Sequence, residues 1–396
     1  MKHTLRFLFS FRRGVPLPVF MAVAMAAAVA LLPTLSFAES IEDKIERLEK
    51  RIEELERKLD GKEQEAIEQR MEKIEGRQAE LHHSLEEKKA PGLMTQISDK
   101  IAIGGLLEVE AFFEDIDDEG DTSDIVLATM ELAIDVEINE FVSGHILFLW
   151  EEDGTEPVDL DEGYITIASP YGLSLTAGKM YVPFGMFNSH FISDPQTLEL
   201  GETRESAVLL TYATGPFEIS AGAFNGDADE ISDSDNEVED FVVSVVVTPK
   251  EGITFGASYI SNIADSDIGL APVLRDDVEG MAAFLSLEMG PFMFEAEYVG
   301  ATESFEDLDL DGDGDNDGDK PETYNFEVAY AVNDRLEIAV RYEENDEFFD
   351  FPEEQYGVAI SYSLFEDVTL AFEFLHGEFE DGRDRDAGTA QLAVEF

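Results

Sequence analysis

From Ile101 to the carboxy-terminus, apolar and polar side chains alternate at period two, the repeat of a β-strand with two different faces. Met130, Leu132, Ile134, Val136 and Ile138 fall on one face of such a strand, and Thr129, Glu131, Ala133, Asp135 and Glu137 on the other. Leu336, Ile338, Val340 and Tyr342 likewise oppose Arg335, Glu337, Ala339, Arg341 and Glu343. The same count puts Glu108, Glu110, Glu295 and Glu297 on polar faces. Sixteen strands are predicted, starting near Ile101, Ile125, Phe141, Leu160, Gly172, Ala207, Phe217, Phe241, Ile253, Val278, Phe292, Thr323, Arg335, Gln355, Val368 and Ala387.

The connections alternate in length. Short turns such as Asn139-Glu140, Gly215-Pro216, Gly290-Pro291 and Asn333-Asp334 alternate with acidic stretches at 114–124, 185–205, 226–239, 262–277, 302–322, 343–353 and 377–386. Short turns on one side and long loops on the other mark a transmembrane barrel. A soluble sandwich needs no such rhythm. A charge facing lipid at mid-depth costs ~2–4 kcal/mol for Lys or Arg, so the charged faces belong in the lumen. The last strand ends on Leu392, Val394 and Phe396 on one face, which suits a closing strand with its apolar side in lipid and equally an ordinary edge strand.

Before this region the period changes to that of a helix. Ile41, Ile45, Leu48, Ile52, Leu55 and Leu59 recur at spacings of four and three, and Ile67, Met71, Ile74, Leu81 and Leu85 resume after Gly61. This predicts an α-helical coiled coil over 39–89, or one amphipathic helix lying on the barrel or membrane, then a linker at 90–99 and the barrel over 100–396. Ile and Leu at the core positions favour a parallel dimer, whereas large porins associate as trimers; the analogy favours a trimer. Lys2, Arg6, Arg12 and Arg13, an apolar run from Val19 to Leu32 and Ser36-Phe37-Ala38 read as a signal peptide cut after Ala38. The fold class is thus an all-β transmembrane barrel of about sixteen antiparallel strands behind a periplasmic coiled coil, in the outer membrane of a Gram-negative cell.

Composition narrows the chemistry. The net charge is -63, there is no cysteine, and only ten basic side chains follow Lys89. Nucleic-acid binding, which needs clustered Lys and Arg, is excluded. Few histidines remain after the leader, and Ser189-His190 has no positioned acid beside it in the sequence, so no enzyme is expected. Acids lining a lumen favour cations. Candidate lining residues are Glu108, Glu110, Glu131, Asp135, Glu137, Lys179, Arg204, Glu295, Glu297, Glu337 and Arg341. The loop Met186–Glu205, rich in Phe, Leu, Asn and Ser, either folds into the lumen as a constriction or stays outside. No resident cofactor is required. Asp311, Asp313, Asp315, Asp317, Asp319 and Glu322 form a run of alternating carboxylates that either holds calcium in the external loop 307–322 or is simply solvated.

The leader, the coil, the strand Gly104-Gly105-Leu106-Leu107-Glu108-Val109-Glu110, the stretch Gly178-Lys179-Met180-Tyr181-Val182-Pro183-Phe184-Gly185 and terminal Phe396 together resemble the legiobactin-receptor type of siderophore porins. The resemblance covers nearly all of the mature chain and implies a coiled coil plus barrel serving ferric-siderophore uptake. The acid-rich lumen departs from that expectation, because ferric carboxylate siderophores are anionic. A cationic or neutral chelate, or small cations passing a general porin, fits the charge better. A second class of function is a barrel tethered to the cell wall through its coil. The expected partners are outer-membrane lipid, a small solute or siderophore, the cell wall, and further copies of the chain.

Overall fold

The computed structural model describes residues 95–98, 100–152, 157–230, 238–270, 273–274, 276–305, 310, 318–348 and 351–396. Residues 90–396 form one compact unit. The expected leader and coil fall in the other, residues 1–89, outside the described residues.

Sixteen strands make up the wall: β1 (Ile101–Ile116), β2 (Gly120–Asn139), β3 (Val142–Trp150), β4 (Asp159–Ala168), β5 (Leu173–Tyr181), β6 (Arg204–Thr214), β7 (Phe217–Phe224), β8 (Asp240–Lys250), β9 (Ile253–Ile260), β10 (Gly280–Met289), β11 (Phe292–Ala301), β12 (Glu322–Asn333), β13 (Leu336–Asp346), β14 (Glu354–Phe365), β15 (Val368–Glu378) and β16 (Asp384–Glu395). Each pairs antiparallel with its neighbours in sequence, and β16 pairs with β1 from Arg385↔Ile116 to Glu395↔Leu106, closing the ring. Closure leaves no free edge, the condition for a sheet in lipid.

The alternation in the sequence becomes two faces. On β13, Ile338, Val340 and Tyr342 are exposed, whereas Ala339, Arg341 and Glu343 are buried. A soluble protein would put these the other way round; exposed aliphatic side chains around a closed ring define a lipid-facing surface.

Two expectations are corrected. The acidic stretch 114–124 is not a long loop, because β1 and β2 run on as a hairpin that turns within three residues, 117–119. The linker also belongs partly to the sheet: Thr95–Ser98 is a short strand paired with Ile101–Ile103 on β1. It extends the line of β16 just beyond the terminal pair Gly105–Phe396.

The interior is not uniform. Phe224, Val242, Ile260, Ala282 and Val299, on the inward faces of β7–β11, pack with Phe184 and Leu200 from the β5–β6 connection and Ile263, Leu270, Phe305 and Phe348 from other loops. This is an apolar core inside a barrel. Each fully buried Leu, Ile or Phe of this kind contributes ~1.5–3 kcal/mol, so the segments it gathers are fixed parts of the fold.

Candidate functional site

The connection from Val182 to Thr203 folds inward and crosses to the far wall. Its departure is set by Gly185, at φ 81°, and Phe187, at φ 55°, both in the left-handed region. A Cβ on Gly185 would stand 2.3 Å from the Phe187 ring, so only glycine fits the bend.

Four carboxylates from four strands then receive the loop's backbone. Glu297 on β11 accepts the Met186 and Phe187 N–H groups at 2.7 and 2.8 Å. Glu327 on β12 accepts the His190 N–H at 2.7 Å and the Ser189 hydroxyl at 2.9 Å. Glu373 on β15 accepts the N–H groups of Ile192 and Ser193 at 2.8 and 3.0 Å. Glu343 on β13 accepts the Gln196 N–H at 2.7 Å, where the short helix α1 (Gln196–Gly201) begins. Buried loop backbone must find partners, and charged acceptors make the stronger bonds.

Arg341 holds the centre of this contact. Its Nε donates to Glu327 Oε1 at 2.8 Å, and its terminal nitrogens donate to the Ser193 and Asp194 carbonyls at 2.8 and 3.3 Å and to the Ser189 and Ser193 hydroxyls. The guanidinium lies 4.3 Å from the Phe191 ring centroid. His190 Nδ1 is 2.9 Å from Glu337 Oε1, and Asn188 donates to Glu295 at 3.3 Å.

The residues singled out in the sequence therefore separate into groups. Glu295, Glu297, Glu337 and Arg341 meet the inward loop, with Glu297 and Arg341 buried beneath it rather than open to the lumen. Glu108, Glu110, Glu131 and Asp135 lie on the face opposite Leu107, Val109 and Leu132. Glu110 accepts from Gln391 at 2.9 Å, and Asp135 meets His145, which stacks on Tyr164 with centroids 5.1 Å apart. Glu137 is exposed near the β2–β3 turn.

Lys179 and Arg204 depart from the expectation. Their register positions fall with Leu175, Ala177, Val208 and Leu210, on the face opposite inward Met180 and Ala207. Lys179 lies 3.7 Å from Asp159, and Arg204 pairs with Asp161 and with Asp267.

Glu327, Glu343 and Glu373 were not among the candidates; the alternation around Phe326, Tyr342, Phe372 and Phe374 places each on the inward face. Asp194 carries no local signal. Of the calcium candidates, Asp311, Asp313, Asp315 and Asp317 lie outside the described residues. Asp319 accepts the Leu310 N–H, and Glu322 pairs with Lys320. Among the described residues no three His, Cys, Asp or Glu side chains converge as a metal centre.

Three loop segments meet beside the apolar core. Asp267 N–H donates to the Glu202 carbonyl at 2.8 Å, and the Arg204 N–H to Asp267 Oδ1 at 2.9 Å. Burial, aided by Asp240, Glu205 and Asp277 against the opposing Ala228 N–H, pushes the Asp265 carboxyl up to about 8. Burial, with Asp267, Asp194, Asp161 and Glu199 adding to it, pushes Glu202 to about 8 as well.

A closed ring of sixteen strands with an apolar outside, an acidic inside and one loop drawn across the interior defines an outer-membrane channel. Residues 95–382 match the Gram-negative porin family, and the chain belongs to it. The family consists of channels rather than enzymes.

Curated relatives include a UPF0422 protein of Coxiella burnetii, 26% identical over 319 residues, 75% of this chain and 68% of that protein. A UPF0422 protein of Legionella pneumophila is 26% identical over 338 residues, 74% of this chain and 60% of its own length. In fold, the chain is similar to the outer membrane channel DcaP of Acinetobacter baumannii, with a TM-score of 0.57 at 14% identity over 78% of this chain and 100% of that one. It is also similar to OmpF of Salmonella typhi, with a TM-score of 0.56 at 10% identity over 77% and 100%.

Proposed function

We propose that the protein is a passive, cation-preferring pore for small solutes, whose open path runs between the inward loop and the acidic walls of β1 and β2. The observation that carries this reading is the placement of Asp194. It is solvent-accessible where the loop turns, within electrostatic reach of Glu108, Glu110 and the buried Arg341, and the low-dielectric surroundings push its carboxyl up while Arg341 opposes this. Both sides of the passage then carry carboxylates, as in pores that admit cations.

Planar-bilayer recording tests this. A reversal potential under a KCl gradient is expected to show cation preference; anion preference or absence of an open pore overturns the reading. Siderophore uptake, implied by the resemblance to siderophore porins, fits this passage for neutral or cationic ferric chelates. Block of the KCl current by such chelates, and not by anionic ones, is the expected result. A homotrimer belongs to the same reading and is tested by cross-linking in native membranes.

A further inference from the structure

We infer that Arg341 raises the cation preference of the pore, as a positioning residue that presents Asp194, the specificity-determining carboxylate. The inference rests on the proposed reading of the passage, but its own test is the direction in which selectivity changes.

A barrel-wall arginine would ordinarily add positive charge to a lumen and favour anions. Here the side chains of Arg341 and Glu327 are both fully buried. The donors of the guanidinium are directed at Glu327, at the Ser189 and Ser193 hydroxyls, and at the Ser193 and Asp194 carbonyls. One flat face is taken by Phe191. The charge is thus neutralised by Glu327, with Glu343 3.7 Å away, and its hydrogen-bonding capacity is consumed by the loop. Its field still acts on the Asp194 carboxyl, where it opposes the upward push of burial.

Arg341 holds Ser189, Phe191, Ser193 and the carbonyl of Asp194, while Glu327 and Glu373 receive the N–H groups of His190 and Ile192 between them. Pro195, buried directly after Asp194, restricts the backbone on the other side. Asp194, held between these anchors, reaches solvent, with its carboxyl pushed up by partial desolvation and held down by Arg341. A lysine could supply the charge but not the planar fork that reaches Glu327 and the loop together.

The two roles predict opposite signs. If Arg341 lined the water path, Arg341→Gln would raise the K+/Cl− permeability ratio. As a positioning residue its loss releases the loop and lowers the ratio, by about two- to five-fold, with larger and noisier conductance. Asp194→Asn is expected to lower the ratio comparably with conductance steps that stay uniform. Adding Asp194→Asn to Arg341→Gln should then change little, because the carboxylate is already misplaced.

Arg341→Lys keeps the charge and loses the fork, so it should behave as Arg341→Gln; a wild-type ratio in Arg341→Lys overturns the inference. So does a raised or unchanged ratio in Arg341→Gln. Heat-modifiable migration of the folded barrel is checked for each variant. If Arg341→Gln does not fold, Arg341→Lys and the pair Ser189→Ala/Ser193→Ala decide by the same sign. Wild-type selectivity tests the proposed function separately: anion preference there would sink that reading, whereas a fall on loss of Arg341 or Asp194 concerns the present inference.

Discussion

Gly105 and Phe396 face each other across the closing seam, exchanging both backbone hydrogen bonds at 2.9 and 3.0 Å. A Cβ on Gly105 would stand 2.5 Å from the Phe396 ring. The terminal aromatic therefore occupies the space left by a missing side chain. Gly105→Ala is expected to destabilise the barrel by ~1–3 kcal/mol through overpacking. Urea unfolding in lipid vesicles measures this, and Phe396→Ala in the Gly105→Ala background should recover part of the loss.

The apolar core fixes one end of the inward loop. Phe184→Ala should cost ~3–5 kcal/mol, the range for a buried aromatic replaced by alanine. Because Phe184 lies at the loop's departure, the same variant should show larger and more variable single-channel conductance. A drop in stability with unchanged conductance would mean that the anchors on Glu297, Glu327, Glu343 and Glu373 hold the loop without it.

The meeting of the β5–β6 and β9–β10 connections should depend on pH. Asp265 and Glu202 hold their protons up to about 8 in the fold, whereas the unfolded chain releases them near ~4. The folded state thus binds extra protons between those values. The packing is strongest at acid pH, weakens as pH rises from ~4 to about 8, and changes little beyond. Hydrogen exchange of residues 261–270, corrected for intrinsic rates, should show falling protection across that window. Asp265→Asn should flatten the dependence.

Removing residues 40–89 separates channel from tether. Conductance and selectivity are expected to persist in the shortened chain, and a cell-wall attachment carried by residues 40–89 would be lost with them. Envelope leakage assays alongside bilayer recording read the two independently.

Much of the wall was legible because strand alternation is a local property. Starts expected near Phe217, Ile253, Phe292 and Val368 coincide with β7, β9, β11 and β15. The β1–β2 hairpin was misread as a loop because acidic residues predict solvent, and an extended hairpin beyond the membrane is solvated too. The inward path of residues 182–203 depends on partners such as Glu297, Glu327 and Glu373, 110 to 181 residues away in the chain. Composition raised that path only as one alternative. Arg341 was legible as inward-facing but not as buried, because alternation gives the face and says nothing of what lies over it.

The apolar packing on the inner surface of β7–β11 also limits how such a pore could be remodelled. On the proposed reading water and solute pass beside β1 and β2, whereas the cluster around Phe224, Val242, Ile260, Ala282 and Val299 packs as the interior of a soluble domain does. Trimming the β9–β10 connection would expose Ile260, Ile263 and Val299 and cost stability before it gave any solute more room. Widening the proposed passage has to begin from β1 and β2, where Glu108, Glu110, Glu131 and Asp135 make the interior surface polar.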